Sequence, residues 1–291
     1  MSKKLLQDIS GGYAMLALDQ RESLRQMMQK NHPVAISDES LIQFKFDAMK
    51  ILSESASATL VDIPFGIPAL KKISEREFSV ILAVDMLSHS DAGSVISTDL
   101  IDSSISEYIH EFKIPALKFL ILWKANETKE VKLKKVEKFI KMCEKYDSIS
   151  VLESIVRPDP LTGWSSDSEK LDAMFESAAA ISEYKPDIYK CEVPGHGKFT
   201  ESALIDASKN ISELIKGEWV VLSNGVQQSD FFQSVIGACA GGASGFLAGR
   251  AIWAEALNQS KPIEYLENSS KNSLISLRTA VHEMVLLNDK K

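Results

Sequence analysis

Eight short, nearly unbroken apolar runs alternate with longer amphipathic stretches along this chain, and that rhythm limits its fold more than any other feature. The runs cover residues 13–19, 58–63, 80–85, 116–123, 149–153, 187–193, 219–223 and 245–250. A strand with one face in water alternates apolar and polar residues. A strand covered on both faces stays apolar throughout, the mark of a parallel sheet under helices. The intervening stretches fit those helices. Residues 41–52, 131–143 and 170–181 repeat apolar side chains every three or four positions, and residues 273–287 read as a last helix on the outside. Lys134, Lys135, Glu137 and Lys138 fall on the solvent side. Eight β-then-α units close most simply into an α/β (β/α)8 TIM barrel, a single domain over residues 1–291, with an open doubly wound sheet as the alternative.

The 291 residues, with 45% hydrophobic side chains, suffice for such a core. A net charge of −7 excludes nucleic acid as the main partner, because a phosphate backbone needs a basic face. A small anionic substrate needs only a local basic pocket. Cys143, Cys191 and Cys239 are odd in number and form no CxxC pair, so neither a disulfide framework nor a structural zinc site is expected. The N-terminal stretch turns polar after two leucines, unlike a secretory leader, and no apolar run approaches a membrane span of about 18 residues. A cytoplasmic protein with neither a membrane nor a nucleic-acid partner is expected.

In such a barrel the chemistry sits at the C-terminal strand ends. The polar residues there are Asp19-Gln20-Arg21, Asp62, Asp85, Lys118, Glu153, Lys190 with Glu192, Ser223-Asn224-Gly225 and Gly249-Arg250. Every run delivers a polar group to one rim. Packing alone does not ask for this, since an unpaired buried charge is costly.

Lys190 lies in Ile188-Tyr189-Lys190-Cys191-Glu192-Val193, where strand alternation puts Ile188, Lys190 and Glu192 on one face. Burial there disfavours an ammonium, and a second cation from Lys118 pushes the same way. A neutral amine condenses with a ketone, so Schiff-base chemistry is expected, with Glu153 moving protons. Spacing does not choose between Lys190 and Lys118 as the nucleophile. It also allows a Lys–Glu–Lys ion network that only fills the barrel.

TIM barrels often bind phosphate with the loops after their last two strands. Those loops carry Ser223, Asn224 and Gly225, then Gly249 and Arg250. The glycines would let backbone N–H groups approach an anion, and Arg250 would add a forked cation. His32, His89, His110, His196 and His282 are scattered with no HxH or HExxH, so no catalytic zinc is expected. Asp62, Asp85 and Glu153 form a conceivable Mg²⁺ set. No GxSxG nucleophile elbow occurs. His196, in Pro194-Gly195-His196-Gly197-Lys198, reads as a loop histidine near the mouth, and Arg157 as a rim cation for a second anion or a surface carboxylate.

With these residues in place, the chain resembles the class I aldolases that include tagatose 1,6-bisphosphate aldolase and sulfofructosephosphate aldolase. The matching segments are Ala17-Leu18-Asp19-Gln20-Arg21, Ala116-Leu117-Lys118-Phe119-Leu120, Leu152-Glu153, Tyr189-Lys190-Cys191-Glu192-Val193-Pro194, Leu222-Ser223-Asn224-Gly225-Val226 and the run from Gly242 to Ala251. They extend nearly end to end, and the last is very specific. The resemblance implies a TIM barrel, no metal and no cofactor. It implies a Schiff-base lysine on strand six, which is Lys190 here, with Glu153 as acid/base and Lys118 tuning the site. It further implies substrate contacts from Asp19 and Gln20, a C1-phosphate site at Ser223, Asn224, Gly225, Gly249 and Arg250, and a homo-oligomer, dimer or tetramer; Arg21, beside them at the end of the first run, is expected to bind substrate as well.

Chain length, Gly197-Lys198 and the Gly-rich last run look closer to the sulfofructosephosphate enzymes. The expected reaction is then 6-deoxy-6-sulfofructose 1-phosphate going to dihydroxyacetone phosphate and 3-sulfolactaldehyde, with tagatose or fructose 1,6-bisphosphate as the alternative. Asp62-Ile63-Pro64-Phe65-Gly66 and Pro194-Gly195-His196 depart from that pattern at the end of the site away from C1. A phosphosugar isomerase or epimerase and a non-catalytic sugar-phosphate sensor are the competing readings. Keeping Lys190, Glu153 and Lys118 together argues against a sensor, which needs no nucleophile.

Overall fold

In the computed structural model, which describes residues 1–30, 33–90, 94–101, 103 and 105–288, the eight apolar runs are the staves of one closed parallel barrel. His32 lies outside the described residues. The strands are β1 (Tyr13–Leu18), β2 (Ala58–Asp62) and β3 (Ser79–Ala83), then β4 (Asp85–His89) and β5 (Val95–Leu100). They continue with β6 (Ala116–Lys124), β7 (Ile149–Arg157), β8 (Ile188–Glu192), β9 (Glu218–Leu222) and β10 (Gly245–Ala248). Around the barrel the order is β1, β2, β3, β6, β7, β8, β9, β10 and back to β1, with β4 and β5 forming a separate antiparallel pair.

Several of the long helices start where a hydroxyl caps them. Ser37 accepts from the Ser40 N–H at the head of Asp38–Leu52, Thr128 from Val131 ahead of Lys129–Lys145, and Ser166 from Glu169 ahead of Asp167–Ser182. These three helices contain the periodic stretches read from the sequence, and the last helix runs Lys271–Asn288. Each shows its apolar stripe to the strands, which is why both faces of the sheet are covered and the strands carry few polar residues.

Residues two apart on a strand share a face, and that simple rule builds the interior in layers. Ala17, Ala83, Ala116, Val151 and Ile188 belong to one apolar plug in the lower barrel. Two positions further along the chain from these come Asp19, Asp85, Lys118, Glu153 and Lys190. Beyond that charged layer, Leu120, Leu122, Ile155 and Leu222 form a second apolar cluster, against which Leu87 and Val95 of the hairpin pack. The charges are therefore held between two layers of hydrocarbon.

The third run differs from the sequence reading. It does not continue as one strand through residue 85. The barrel strand ends at Ala83, and Asp85 opens the hairpin, paired with Leu100. The hairpin strands are polar and half-exposed, so continuous apolarity did not mark them.

The closing seam of the barrel depends on one glycine. Gly245 pairs with Tyr13 and has φ of +139°, and a Cβ there would meet the Tyr13 carbonyl oxygen at 2.0 Å. Gly245→Ala should cost about 3 kcal/mol or more, as strain plus a backbone clash. Urea midpoints of the two proteins check this, and equal midpoints would mean the seam relaxes freely.

Candidate active site

Glu153 on β7 stands directly opposite Lys190 on β8 in the strand register. Lys190 Nζ donates to Glu153 Oε2 at 3.0 Å. Lys118 on β6 lies 2.8 Å from the same oxygen and also reaches Asp19 Oδ2 at 2.9 Å and Asp85 Oδ2 at 3.0 Å. All three residues are buried, with Lys118 2%, Lys190 3% and Glu153 6% exposed. The two lysines and the carboxylate singled out in the sequence thus meet at one oxygen atom.

The electrostatics follow from this crowding. Burial works to lower the Lys118 proton affinity, but Asp19, Asp85 and Glu153 overcome it and hold the ammonium well above the usual lysine value. Burial works to raise the Asp19 carboxyl, yet Lys118 and Lys190 outweigh it and hold it below the usual carboxylate range. Glu153 is lowered in the same way, with burial opposed first by Lys118 and then by Lys190. Lys118 is therefore a fixed cation. Glu153 is an ionised carboxylate within hydrogen-bond reach of an amine, which is the geometry required for passing a proton to and from that amine.

The β1 end divides its labour. Asp19 faces Lys118. Gln20 Oε1 is buried without a hydrogen-bond partner among the described residues. The Arg21 guanidinium donates to the Asp85 carbonyl and to Asp85 Oδ1, both at 2.8 Å. It braces the start of the hairpin. Asp62, Asp85 and Glu153 are each already engaged by lysine or arginine, and as a Mg²⁺ set they would have to give those partners up.

At the rim over β8, β9 and β10, Asn224 is a bridge. Its Nδ2 donates to Glu192 Oε1 at 3.1 Å, and its Oδ1 accepts from Arg250 Nη2 at 2.6 Å. Ser223 is buried beside it, while Arg250 is exposed. Gly225 has φ of +78°, and the place of its missing Cβ is filled by the His196 ring, whose Nδ1 would stand 2.8 Å away. Gly249 packs on β1, where a Cβ would meet the Ala17 carbonyl oxygen at 2.3 Å. Both glycines thus have a packing reason in addition to the anion approach read from the sequence.

Glu192 was read from the sequence only as a polar neighbour of Lys190, and Lys45 was not singled out at all. Glu192 accepts from the Val156 N–H at 3.0 Å as well as from Asn224, and Lys170 and His196 approach its Oε1 at 3.8 and 3.9 Å. Its alternation with Lys190 was the available signal. Lys45, from the helix Asp38–Leu52, is fully buried against Asp62 and the Leu18 carbonyl. The signal was a lysine on an apolar stripe.

Comparison with known proteins agrees with the geometry. A family model described as DeoC/LacD family aldolase matches residues 13–255. Tagatose 1,6-diphosphate aldolase 2 of Streptococcus agalactiae is 24% identical over 301 residues, covering 96% of this chain and 90% of that protein. The tagatose 1,6-diphosphate aldolase of Lactococcus lactis is 24% identical over 305 residues, covering 98% and 92%. Among solved structures, an archaeal fructose 1,6-bisphosphate aldolase superposes with a TM-score of 0.62 at 14% identity, covering 96% of each chain. The fructose-bisphosphate aldolase of Plasmodium falciparum gives 0.69 at 12% identity, covering 97% of this chain and 92% of that one. The barrel, the family model spanning most of its length and the near full-length relatives lead to one statement: the chain belongs to the DeoC/LacD aldolase family.

Proposed function

We propose that the protein is a class I aldolase that cleaves a ketose 1-phosphate through a Schiff base on Lys190. The observation that carries this reading is the single Glu153 oxygen shared by Lys190 and by a permanently charged Lys118. A solved archaeal relative of the same fold is described with its catalytic lysine bound covalently to the substrate's carbinolamine intermediate.

In the proposed cycle, Lys190 attacks the C2 carbonyl after giving a proton to Glu153, and the carbonyl oxygen becomes the carbinolamine hydroxyl. Glu153 returns the proton to that hydroxyl, which leaves as water, and an iminium remains. The Glu153 carboxylate then takes the C4 hydroxyl proton. The C3–C4 bond breaks, the C4 half leaves as an aldehyde, and the electron pair enters the iminium to give an enamine. Protonation at C3 and hydrolysis release dihydroxyacetone phosphate and free Lys190. Lys118 stays charged throughout and offsets the negative charge that collects around Glu153.

Arg250, with the Ser223-Asn224-Gly225 and Gly249 turns, is assigned the C1-phosphate. Asp19 and Gln20 are assigned substrate hydroxyls, and the unpartnered Gln20 oxygen suits that task. Lys170 and His196 approach Glu192, Arg157 and Lys198 act on Lys170, and this group of cations suits a second anion. Our preferred substrate is 6-deoxy-6-sulfofructose 1-phosphate, which gives 3-sulfolactaldehyde as the second product. The names of the curated relatives favour tagatose 1,6-bisphosphate as the second reading. A side-by-side assay of these two and fructose 1,6-bisphosphate chooses between them. A cytoplasmic homo-oligomer belongs to the same proposal.

Borohydride with dihydroxyacetone phosphate should trap the protein covalently, with the adduct mapping to Lys190, and Lys190→Ala should lose at least about 10³-fold in kcat without unfolding. A trappable, active Lys190→Ala protein would rule the assignment out. Glu153→Gln should lower kcat about 10²–10⁴-fold, the usual worth of a general acid/base. Arg250→Ala should raise KM for ketose 1-phosphates roughly ten- to a hundredfold with a smaller change in kcat, through loss of a charge-assisted contact. An unchanged KM would move the phosphate elsewhere.

A further inference from the structure

The fully buried Lys45 takes no part in the cycle above, yet it is wired to it. It occupies the apolar stripe of the helix Asp38–Leu52, among Leu41, Ala48, Met49 and Leu52. An ammonium there has lost its water and needs compensation. Lys45 Nζ donates to the Leu18 carbonyl at 2.7 Å and to Asp62 Oδ1. The Phe65 ring lies 5.8 Å from it. Asp62 Oδ2 accepts from the Phe65 N–H at 3.0 Å and lies 3.9 Å from Arg21 Nε. Arg21 passes the contact to Asp85, Asp85 to Lys118, and Lys118 to Asp19 and Glu153, where Lys190 ends the series. Four cations and four carboxylates are thereby joined, and fully ionised they sum to zero.

We infer that Lys45 is a positioning residue of the active site: from outside the barrel wall it completes a neutral network of buried charges and so sets how readily Lys190 sheds its proton. This rests on the proposed role of Lys190. The Leu18 carbonyl that Lys45 holds belongs to the residue just before Asp19. Burial lowers the proton affinity of Lys45 below the usual lysine value, Asp62 and then Asp19 oppose that, and Arg21 adds to it, so the ammonium depends on its carboxylate partners. Asp19 in turn feels Lys118, Lys190 and Arg21. Around Lys190 the facing charges are Glu153, Asp19 and Lys118, with Glu192 on its own strand, and Arg250 acts on Glu153 and Asp19 from the rim. Between two apolar layers such charges are weakly screened, so one missing unit is felt along the whole series.

The signs separate this role from a structural one. Lys45→Met leaves one negative charge in excess, which favours the protonated amine. Asp62→Asn leaves one positive charge in excess, which favours the neutral amine, while its amide oxygen still accepts from Phe65. The double variant is balanced again. Lost packing alone would lower stability in every variant and would not move a titration in opposite directions.

The test is the pH profile of borohydride inactivation with dihydroxyacetone phosphate for the wild type, both single variants and the double, with thermal midpoints recorded beside it. The acid limb should move up by about half a pH unit or more in Lys45→Met, move down in Asp62→Asn, and return in the double variant. Coincident limbs, or shifts of one sign, overturn the inference. Where Lys45→Met fails to fold, Asp62→Asn and the double variant decide: a lower limb in the former alone supports the inference, and equal limbs overturn it. Absence of trapping in the wild type removes the Lys190 reading and this inference together. Trapping with unmoved limbs removes this inference alone.

Discussion

One carboxylate oxygen, Glu153 Oε2, is shared by two ammonium groups, and the upper half of the barrel is arranged around that fact. Two lysines so close together repel each other in a medium of low dielectric, and they stay only because anions outnumber them locally. Asp19 and Asp85 supply the surplus by binding Lys118. They in turn lie just past the ends of β1 and β3, so the strand ends are tied together by charge where the barrel's backbone ladder stops. The plug beneath and the leucine cluster above keep water from dissolving these pairs. The same surroundings that make the charges expensive to bury make them strong once they are paired.

The barrel could be read from the sequence because strands covered on both faces are apolar without interruption, and each of the eight runs became a stave. Lys118, Glu153 and Lys190 could be read for the complementary reason: a charge in the middle of such a run has nowhere to go but inward. The hairpin could not, because β4 and β5 expose one face and carry serine, threonine, histidine and aspartate in a pattern that also suits a loop. The partner of Arg21 was hidden for a related reason. Asp85, to which it donates twice, sits at a corner that only the hairpin creates.

Lys45 marks a different boundary of legibility. Helical periodicity identifies the buried stripe and so flags a lysine on it, but the partner is set by tertiary contact across β1 and β2. Glu192 is similar: alternation places it, while its three-way engagement with Val156, Asn224 and the Lys170 side requires the long β7 strand and the β9 turn to meet. Residues that interrupt a pattern are visible in one dimension, and the groups that answer them are not.

Asp85 ends the third stave's run, opens the hairpin and binds both Lys118 and Arg21. Leu87 and Val95 then lay the hairpin across the leucines that roof the charged layer. An insertion anchored in this way is not an independent accessory. A change at its root reaches the central carboxylate within two contacts.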